Sequence, residues 1–583
     1  MTSFVEARST TFHHNGRPSK PHISLASHCV CMTLGESVQK VVDALAADDA
    51  GMTWTQLLGQ LRRRSASTTA VIFARTKRQR QRDLAHLRAA LLVMWQHSIV
   101  SIRIPATSIG QKARAPVYTL QPQRAIYVGG PRYAKALELV KKALDGTAAA
   151  VMETLLCRGK ARTVDLMKWT IQDHFSSTDE NNEEGESDAA DDTAADEVTI
   201  PKHDRHTPRE TVINALVKLV QGGFLETVAP LARPEEEDEE VEFGEEPPTK
   251  KVKIEEKKTS MDEDPAIMAI LDRNAHYKAL LPADTVWRVH WDMVHASLRA
   301  VALGRLVNEV HGHRVQSAGS YLSAALRYRA AVRYGPAAQA NENVNTNSSS
   351  GALFGPEDIA KFLPKPVHQN LEKKSGGVTQ NLLKALLEMS KITASPQVVR
   401  RVSEDLFEVC QNDLLEYWKK RVIHQLISDR HGAVAARIVN ILLEKGWLEA
   451  DTLAQYTMVP VKDTRAILHI LYESGYVEVF PLYTAGGAKQ QNPGNAIYLW
   501  KVEAPRLRRV VQEQISLATL NLRLRRQHQV EEGKTFIERA QQETDENENE
   551  TDKLNYQKFR LGLERIDVAL QQLDETAMVL SDF

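Results

Sequence analysis

Apolar residues recur every three or four positions through most of the chain, which predicts amphipathic helices. In the first group the pattern predicts helices over residues 35–50, 53–61 and 77–97. Two short runs rich in β-branched and aromatic residues follow, over 99–104 and 117–120, and predict a hairpin. Three helices followed by a hairpin is the element order of a winged helix, a variant of the helix-turn-helix fold.

The same order recurs in a second group. Helices are predicted over 132–144, 148–157, 164–175 and 207–221, and a strand follows over 224–228. An acidic run interrupts this group before its last helix. Because repeats decide the architecture, the recurrence predicts a second module of the same kind.

Two further groups follow. The third begins with a long helix over 291–310 and includes a helix predicted over 396–416. The fourth has the clearest pattern, with three predicted helices and then two strands, at 434–445, 450–457, 461–474, 476–482 and 496–502.

Beyond Pro505 the apolar residues alternate between three- and four-residue spacing, in two stretches separated by an acidic break at 543–550. Heptad spacing of this kind predicts two helices that pair as an antiparallel coiled-coil hairpin. The alternative is one long amphipathic helix that lies on a partner.

These patterns predict a mainly α protein with small β-wings, built from four tandem winged-helix modules and a C-terminal antiparallel coiled-coil hairpin. The predicted boundaries are a disordered tail at 1–32, a first winged helix at 33–121, a second at 131–230 with an acidic insertion at 176–200, an acidic disordered linker at 231–265, a third winged helix at 266–410 with a flexible insertion at 335–352, a fourth at 411–502, and the coiled-coil stalk at 503–583.

The net charge of −1 conceals a strong asymmetry. The two runs 179–197 and 235–246 contain 19 acidic residues and no Lys or Arg, so the rest of the chain carries a net charge of +18. A basic body favours polyanions such as nucleic acid, through release of counterions. A solvated surface with disordered acidic loops explains the same numbers equally well.

Sequence chemistry argues against an enzyme. No apolar run is long enough for a membrane span, the first 21 residues lack the apolar core of a secretory signal, and the four cysteines do not have zinc-site spacing. The Gly533–Thr535 tripeptide resembles the end of a phosphate loop, but such a loop needs a second glycine five positions earlier, where this chain has His528. His311 and His313 are expected to lie on the surface rather than bind a metal. The sequence therefore predicts no catalytic residue, no metal and no cofactor.

Basic residues give three candidate sites. The first is a run at the start of the helix predicted over 77–97, and the second lies on the helix over 461–474. In a winged helix these elements contact DNA phosphates, but an acidic protein surface would attract the same side chains. A third cluster is a candidate nuclear import signal, with phosphate binding as the alternative. The residues are, in order, Arg75, Lys77, Arg78, Arg80 and Arg82; Lys462 and Arg465; and Lys250, Lys251 and Lys253.

The stretch Ala436–Gly475, ARIVNILLEKGWLEADTLAQYTMVPVKDTRAILHILYESG, resembles the last winged helix of the RPC3 family of RNA polymerase III subunits. The Asn521–Arg526 run NLRLRR and the segment from Asp574 to Phe583 are similar to later blocks of that family. Upstream, Trp287–Leu303 is similar to its third module. Weaker likeness at Leu92–Val100 and around Arg132 extends the resemblance over nearly the whole chain.

The resemblance implies a noncatalytic, nuclear subunit of DNA-directed RNA polymerase III. In that family four winged helices and a stalk join two smaller subunits, and the heterotrimer sits on the clamp of the largest subunit and helps promoter opening at genes for small RNAs such as tRNA. Weak, nonspecific contact with DNA, including single strands, is expected, and contact with a membrane is not.

Two alternatives stay open from the sequence. A free initiation factor like the alpha subunit of TFIIE is one, although that family carries a four-cysteine zinc ribbon that this chain lacks. A winged-helix scaffold without DNA contact is the other.

Overall fold

The computed structural model describes residues 19–48, 50–67, 77–103, 115–175, 208–228, 280–335, 353–392, 396–483, 496–534 and 550–582. Within these residues the protein is mostly helical and has small antiparallel sheets. It forms two compact units. The larger comprises Met1–Tyr133, His295–Arg329 and Thr346–Phe583, and the smaller comprises Ala134–Val294 and Ala330–Asn345.

The first group of elements is built around one buried core. Its elements are α1 (Lys20–Leu34), α2 (Glu36–Leu45), β1 (Met52–Thr53), α3 (Trp54–Ser67), α4 (Lys77–Gln96), β2 (Val100–Arg103), β3 (Val117–Leu120) and α5 (Pro122–Tyr127). Strand β3 lies between β1 and β2 and is antiparallel to both. The apolar faces of α2, α3 and α4 meet over this sheet, where Val41, Leu57 and Met94 are fully buried.

The predicted disordered tail over 1–32 is wrong from residue 20 onward, because α1 is a helix that packs into this core. Ala26 and Val30 are fully buried there, together with Ala125 and Val128 from the segment around α5. The buried face of α1 includes the small residues Ala26, Ser27 and Cys29, so its apolar periodicity is faint in the sequence. Residues 1–18 lie outside the described residues.

The second group lies mostly in the smaller unit. Its elements are α6 (Pro131–Ala143), α7 (Gly146–Arg158), β4 (Ala161–Arg162), α8 (Thr163–His174), α9 (Pro208–Gln221), β5 (Leu225–Thr227) and β6 (Val286–Val289). Strand β6 lies between β4 and β5 in an antiparallel sheet. The side chain of Asp145 accepts a hydrogen bond from the Ala148 backbone and caps the start of α7.

The predicted boundary between the second and third modules is therefore wrong. Residues 286–289 were assigned to a third module starting at 266, but they complete the sheet of the second. Trp287 is buried, and its indole N–H donates a 3.0 Å hydrogen bond to Thr163 Oγ1. In the sequence, the acidic segment predicted as a linker over 231–265 therefore falls between β5 and β6, two strands of one sheet. That segment and the acidic insertion at 176–200 lie outside the described residues.

The third group has a smaller sheet. Its elements are α10 (Trp291–His311), α11 (Ala318–Tyr334), α12 (Pro356–Ala360), α13 (Lys365–Glu372), α14 (Gly377–Ser390), β7 (Val399–Arg401) and β8 (Phe407–Val409). Strands β7 and β8 pair with each other, and Phe354 pairs with Phe407 across two backbone hydrogen bonds. The helix predicted over 396–416 is wrong at its start, because this short hairpin occupies 399–409. The flexible insertion predicted at 335–352 is outside the described residues from 336 onward.

The fourth group and the C-terminal helices share one core. The group comprises α15 (Gln411–His431), α16 (Ala433–Lys445), β9 (Leu448–Glu449), α17 (Ala450–Thr457), α18 (Val461–Glu473), β10 (Glu478–Tyr483) and β11 (Ala496–Lys501), with β11 between β9 and β10. Its core contains Leu442, Leu453 and Leu468, and also Leu507 and Leu580 from beyond the predicted boundary at 502.

Helices α19 (Ala504–Glu532) and α20 (Glu550–Ala577) run in opposite directions. Helix α20 continues into a short π-helical turn at Met578–Asp582. Gln512 donates a hydrogen bond to the carbonyl of Leu580, and Arg526 pairs with Asp567 at 2.7 Å. Residue numbers thus rise along one helix as they fall along the other. Coiled-coil packing between these helices stays a prediction.

One strand arrangement recurs in all four groups. In each, the last strand lies between two neighbours: the strand just before it in sequence, and a short strand from earlier in the group. In the third group the single residue Phe354 takes the place of that short strand. In the described residues no helix is both long and apolar enough to cross a membrane.

Candidate nucleic-acid and protein interfaces

The basic run near α4 is only partly placed by the structure. Lys77 is the first residue of α4, and Arg78, Arg80 and Arg82 lie in its first two turns, while Arg75 is outside the described residues. Helical spacing cannot place four basic residues within six positions all on one face. The candidate import residues Lys250, Lys251 and Lys253 are also outside the described residues.

Helix α18 is the third helix of the fourth group, and its charges are balanced. Lys462 and Arg465 are both exposed, and Arg465 pairs with Asp451 at 2.9 Å. The helix also carries Asp463 and Glu473, so its two cations are matched in number by two carboxylates. A polyanion gains little from a surface without net positive charge.

The sheet of the fourth group has an apolar outer face. Phe480 pairs with Leu499 across β10 and β11, and Leu482 pairs with Ile497, so their side chains emerge on one side. We call the exposed members of this face the sheet-face patch: Trp447, Phe480, Leu482 and Ile497, which are 43%, 53%, 46% and 36% exposed.

Trp447 and Phe480 form the centre of the sheet-face patch. Their ring centroids are 5.9 Å apart in an edge-to-face arrangement, and the Lys501 ammonium lies 5.3 Å from the Trp447 ring. On the opposite face of the sheet Trp500 packs edge-to-face against Tyr472 of α18, beside the core. Because Trp500 packs on α18 whereas the outer face carries four exposed apolar side chains, the outer face has the properties of a docking surface.

A buried charged cluster in the larger unit escaped the sequence analysis. Arg132 is 3% exposed and pairs with Asp574 of α20, with Nη2 2.9 Å from Oδ1. Its Nη1 lies 3.1 Å from His295 Nε2, and its guanidinium lies 4.7 Å from the centre of the Tyr127 ring. The only signal was indirect, since Arg132 and Asp574 both fall in stretches that resemble the same family.

The histidine pair is placed differently from the prediction. His313 is exposed as expected, but His311 is buried at the end of α10, and burial holds the pKa of its imidazole below the ordinary value. The residue belongs to the packed end of a helix, where an apolar environment favours the neutral ring.

No metal site emerges from the described part of the chain. There, no group of three or more His, Cys, Asp or Glu residues is arranged to hold a metal ion, and all four cysteines are free. Burial and the nearby Arg288 lower the pKa of Lys160 to about 8, but this side chain lies outside any cluster of catalytic type.

The arrangement defines a mostly helical protein with small antiparallel sheets and with an exposed aromatic face on the sheet of the fourth group. Residues 423–502 match the family model described as the POLR3C C-terminal winged-helix domain. This confirms a winged helix in the fourth group, at the position where the sequence resemblance is strongest.

Curated relatives carry the same family name. The RPC3 subunit of RNA polymerase III from Bos taurus is 20% identical over 486 residues, covering 79% of each chain. The subunit from Aspergillus niger is 28% identical over 119 residues, and that from Coccidioides immitis is 34% identical over 91 residues. These two matches span 18% and 14% of the relatives' own length. Together the matches support the resemblance of the chain to the RPC3 family.

Proposed function

We propose that the chain is a noncatalytic subunit of DNA-directed RNA polymerase III. It acts in the nucleus with two smaller subunits, on the clamp of the largest subunit, and helps promoter opening at genes for small RNAs. The observation that carries the proposal is the match of residues 423–502 to the POLR3C domain, on a module whose sheet has an uncovered aromatic face.

The proposed architecture is four tandem winged helices with a coiled-coil stalk. Its support is the recurrent order of helix, strand or bridge, two or three helices and two strands, with the last strand central each time. The domain match covers only the fourth of these groups, so the other three rest on topology.

The sheet-face patch is proposed as a contact with other polymerase subunits. Aromatic residues at the centre of an interface commonly dominate its binding energy, and truncating one costs about 2 kcal/mol or more. The balanced charge of α18 on the same module favours a protein over DNA as the neighbour of this module.

We therefore expect the double variant Trp447→Ala and Phe480→Ala to weaken association with the other polymerase subunits at least about thirtyfold. The measurement is quantitative co-purification of the tagged chain from cells, with its melting temperature as a check on folding. Tyr456→Ala is the matched control, because Tyr456 is an aromatic residue of the same module that is 53% exposed. A variant that retains the polymerase as well as this control would contradict the docking role, and a wild-type chain without polymerase subunits would contradict the function.

DNA contact is proposed for the basic start of α4 rather than for α18. Replacing Lys77, Arg78 and Arg80 by alanine should flatten the slope of log K against log salt by roughly 2 to 3 on duplex DNA, since each phosphate contact contributes about −0.9. On single strands the change is smaller, at about 0.7 per contact. Binding is measured by fluorescence anisotropy across a salt series.

The matched comparison is the pair Lys462→Ala and Arg465→Ala on α18, which we expect to change the slope less. An unchanged slope in the α4 variant, together with weaker association with the polymerase, would assign the run to an acidic protein surface instead. That result would favour the scaffold without DNA contact, whereas a chain that binds DNA but no polymerase would favour a free factor like TFIIE.

A further inference from the structure

Helix α20 has a second apolar stripe that the heptad analysis did not include. Leu554, Leu561 and Val568 are spaced by seven residues, which places them on one face, two turns apart. They are 51%, 53% and 53% exposed. We call these three residues the outer stripe.

The outer stripe faces away from the partner helix α19. Ile566 and Leu570 of α20 are buried. The ring of Phe559 packs closely on Gly533 at the end of α19, since a Cβ added to that glycine would lie 2.2 Å from the ring. Leu561 and Val568 each follow one of these inward residues, Phe559 and Ile566, by two positions. Two positions correspond to a rotation of about 200° around the helix, so the stripe lies on the opposite side.

The charges beside the outer stripe leave a net positive edge. Glu564 pairs with Arg560 at 2.9 Å, and Asp567 pairs with Arg526 at 2.7 Å, so these two carboxylates beside Leu561 and Val568 are already neutralised within the chain. Lys558 and Arg565 lie four residues beyond Leu554 and Leu561, along one edge of the stripe, and are exposed. In the part of the chain that the structure describes, neither has an acidic partner.

We propose that the outer stripe binds an amphipathic helix of another protein, with aliphatic residues at heptad spacing and Asp or Glu beside them. The stripe spans 14 helical steps, so the partner helix must extend at least about 21 Å to cover it. Aliphatic side chains would pack on Leu554, Leu561 and Val568, and acidic side chains would pair with Lys558 and Arg565, in the manner of the flanking charges of a coiled coil. This inference does not depend on the proposed polymerase function.

A second copy of the chain fits the same surface poorly. If two copies of α20 paired in antiparallel fashion about Leu561, Lys558 of one would face Arg565 of the other. In a parallel pair Arg560 would face the copy's Arg565, because flanking positions five residues apart meet across a parallel coiled coil, but Glu564 already balances the charge of Arg560. Like charges therefore meet in the antiparallel arrangement and gain no acidic partner in the parallel one, whereas an acidic helix supplies that partner.

The test uses the full-length protein and two synthetic 21-residue helical peptides. Both carry leucine at heptad spacing, and their flanking positions are glutamate in one and lysine in the other. We expect the glutamate peptide to bind at least about tenfold more tightly in fluorescence anisotropy. The double variant Leu561→Gln and Val568→Gln should abolish this binding, and Lys558→Glu with Arg565→Glu should reverse the preference between peptides. All four side chains are exposed, and melting temperatures verify that each variant is folded.

Several outcomes would overturn the proposal. Equal affinity for the two peptides, no binding of either, or unchanged binding by the glutamine variant would each do so. A dimer of the wild-type chain in sedimentation that Leu561→Gln dissolves would make a second copy the occupant. If deleting residues 235–246 raised the affinity for the glutamate peptide, the chain's own acidic segment would be the occupant instead.

Discussion

Replacing Arg132 by alanine is expected to lower the free energy of unfolding of the larger unit by about 3–5 kcal/mol. The substitution leaves the Asp574 carboxylate buried without its cation, and it removes the contacts of the guanidinium with His295 and the Tyr127 ring. Most of the loss is the cost of an unpaired buried charge rather than the strength of the ion pair itself. Urea unfolding with fluorescence detection measures the change.

Arg526→Ala is the matched control for this prediction. Arg526 also pairs with an aspartate of α20, Asp567, but both side chains are nearly half exposed, so we expect a loss of no more than about 1 kcal/mol. The double variant Arg132→Met with Asp574→Leu should recover much of the lost stability, because it leaves no unpaired charge behind. Equal losses for Arg132→Ala and Arg526→Ala would show that burial does not strengthen the first pair.

Trp287→Ala is expected to destabilise the smaller unit by about 3–5 kcal/mol, as truncation of a large buried aromatic residue does. Trp287 is 3% exposed in the central strand of its sheet, and its indole N–H is bonded to Thr163 at 3.0 Å. The change removes both the packing of the ring and that hydrogen bond. Two measurements report on the smaller unit: thermal unfolding of the protein, and the exchange of amide hydrogens in β4 and β5.

Two variants separate the contributions at this position. Trp287→Phe retains most of the packing and loses the hydrogen bond, so we expect a smaller effect than for alanine. Trp447→Ala serves as the control for a tryptophan that is 43% exposed, and should change stability by less than about 1 kcal/mol. If Trp287→Ala left the exchange of β4 and β5 unchanged, residues 286–289 would not hold that sheet together.

Local patterns predicted the fourth group well. Helix α16 was predicted over 434–445 and occupies Ala433–Lys445. The prediction succeeded because the strong apolar face and the glycine at the end of the helix, Gly446, indicate the same bounds. The strand Val117–Leu120 was predicted at its observed bounds for a similar reason, a short β-branched and aromatic run between polar segments.

Contacts between distant parts of the chain were not predictable from those patterns. Strand β6 pairs with β4, more than a hundred residues earlier, and nothing in its own sequence indicates which sheet it completes. The buried Arg132 has the same composition signal as an exposed arginine, and only its position in the fold supplies Asp574. Among the candidate site residues, the pairing of Arg465 with Asp451 was not predictable either, because it depends on the turn between two helices.

The sheet-face patch was not predicted because its strands lack the usual alternation of apolar and polar residues. An apolar residue at every second position normally indicates the buried face of a half-covered sheet. Here β10 and β11 carry apolar residues at nearly every position, which alone is typical of a strand covered on both faces. The sequence could not reveal that only one cover is present in this chain.

The distance in sequence between Arg132 and Asp574 affects the order in which the protein is completed during synthesis. The two residues are 442 positions apart, so Arg132 leaves the ribosome long before its partner is translated. Throughout that interval its guanidinium must stay hydrated or be held by other groups, since burying it alone is costly. The last helices thus arrive on modules whose own short-range contacts can already have formed. A chain interrupted at any codon before 574 retains those modules with an unpaired arginine, which is the kind of defect that quality-control machinery can recognise.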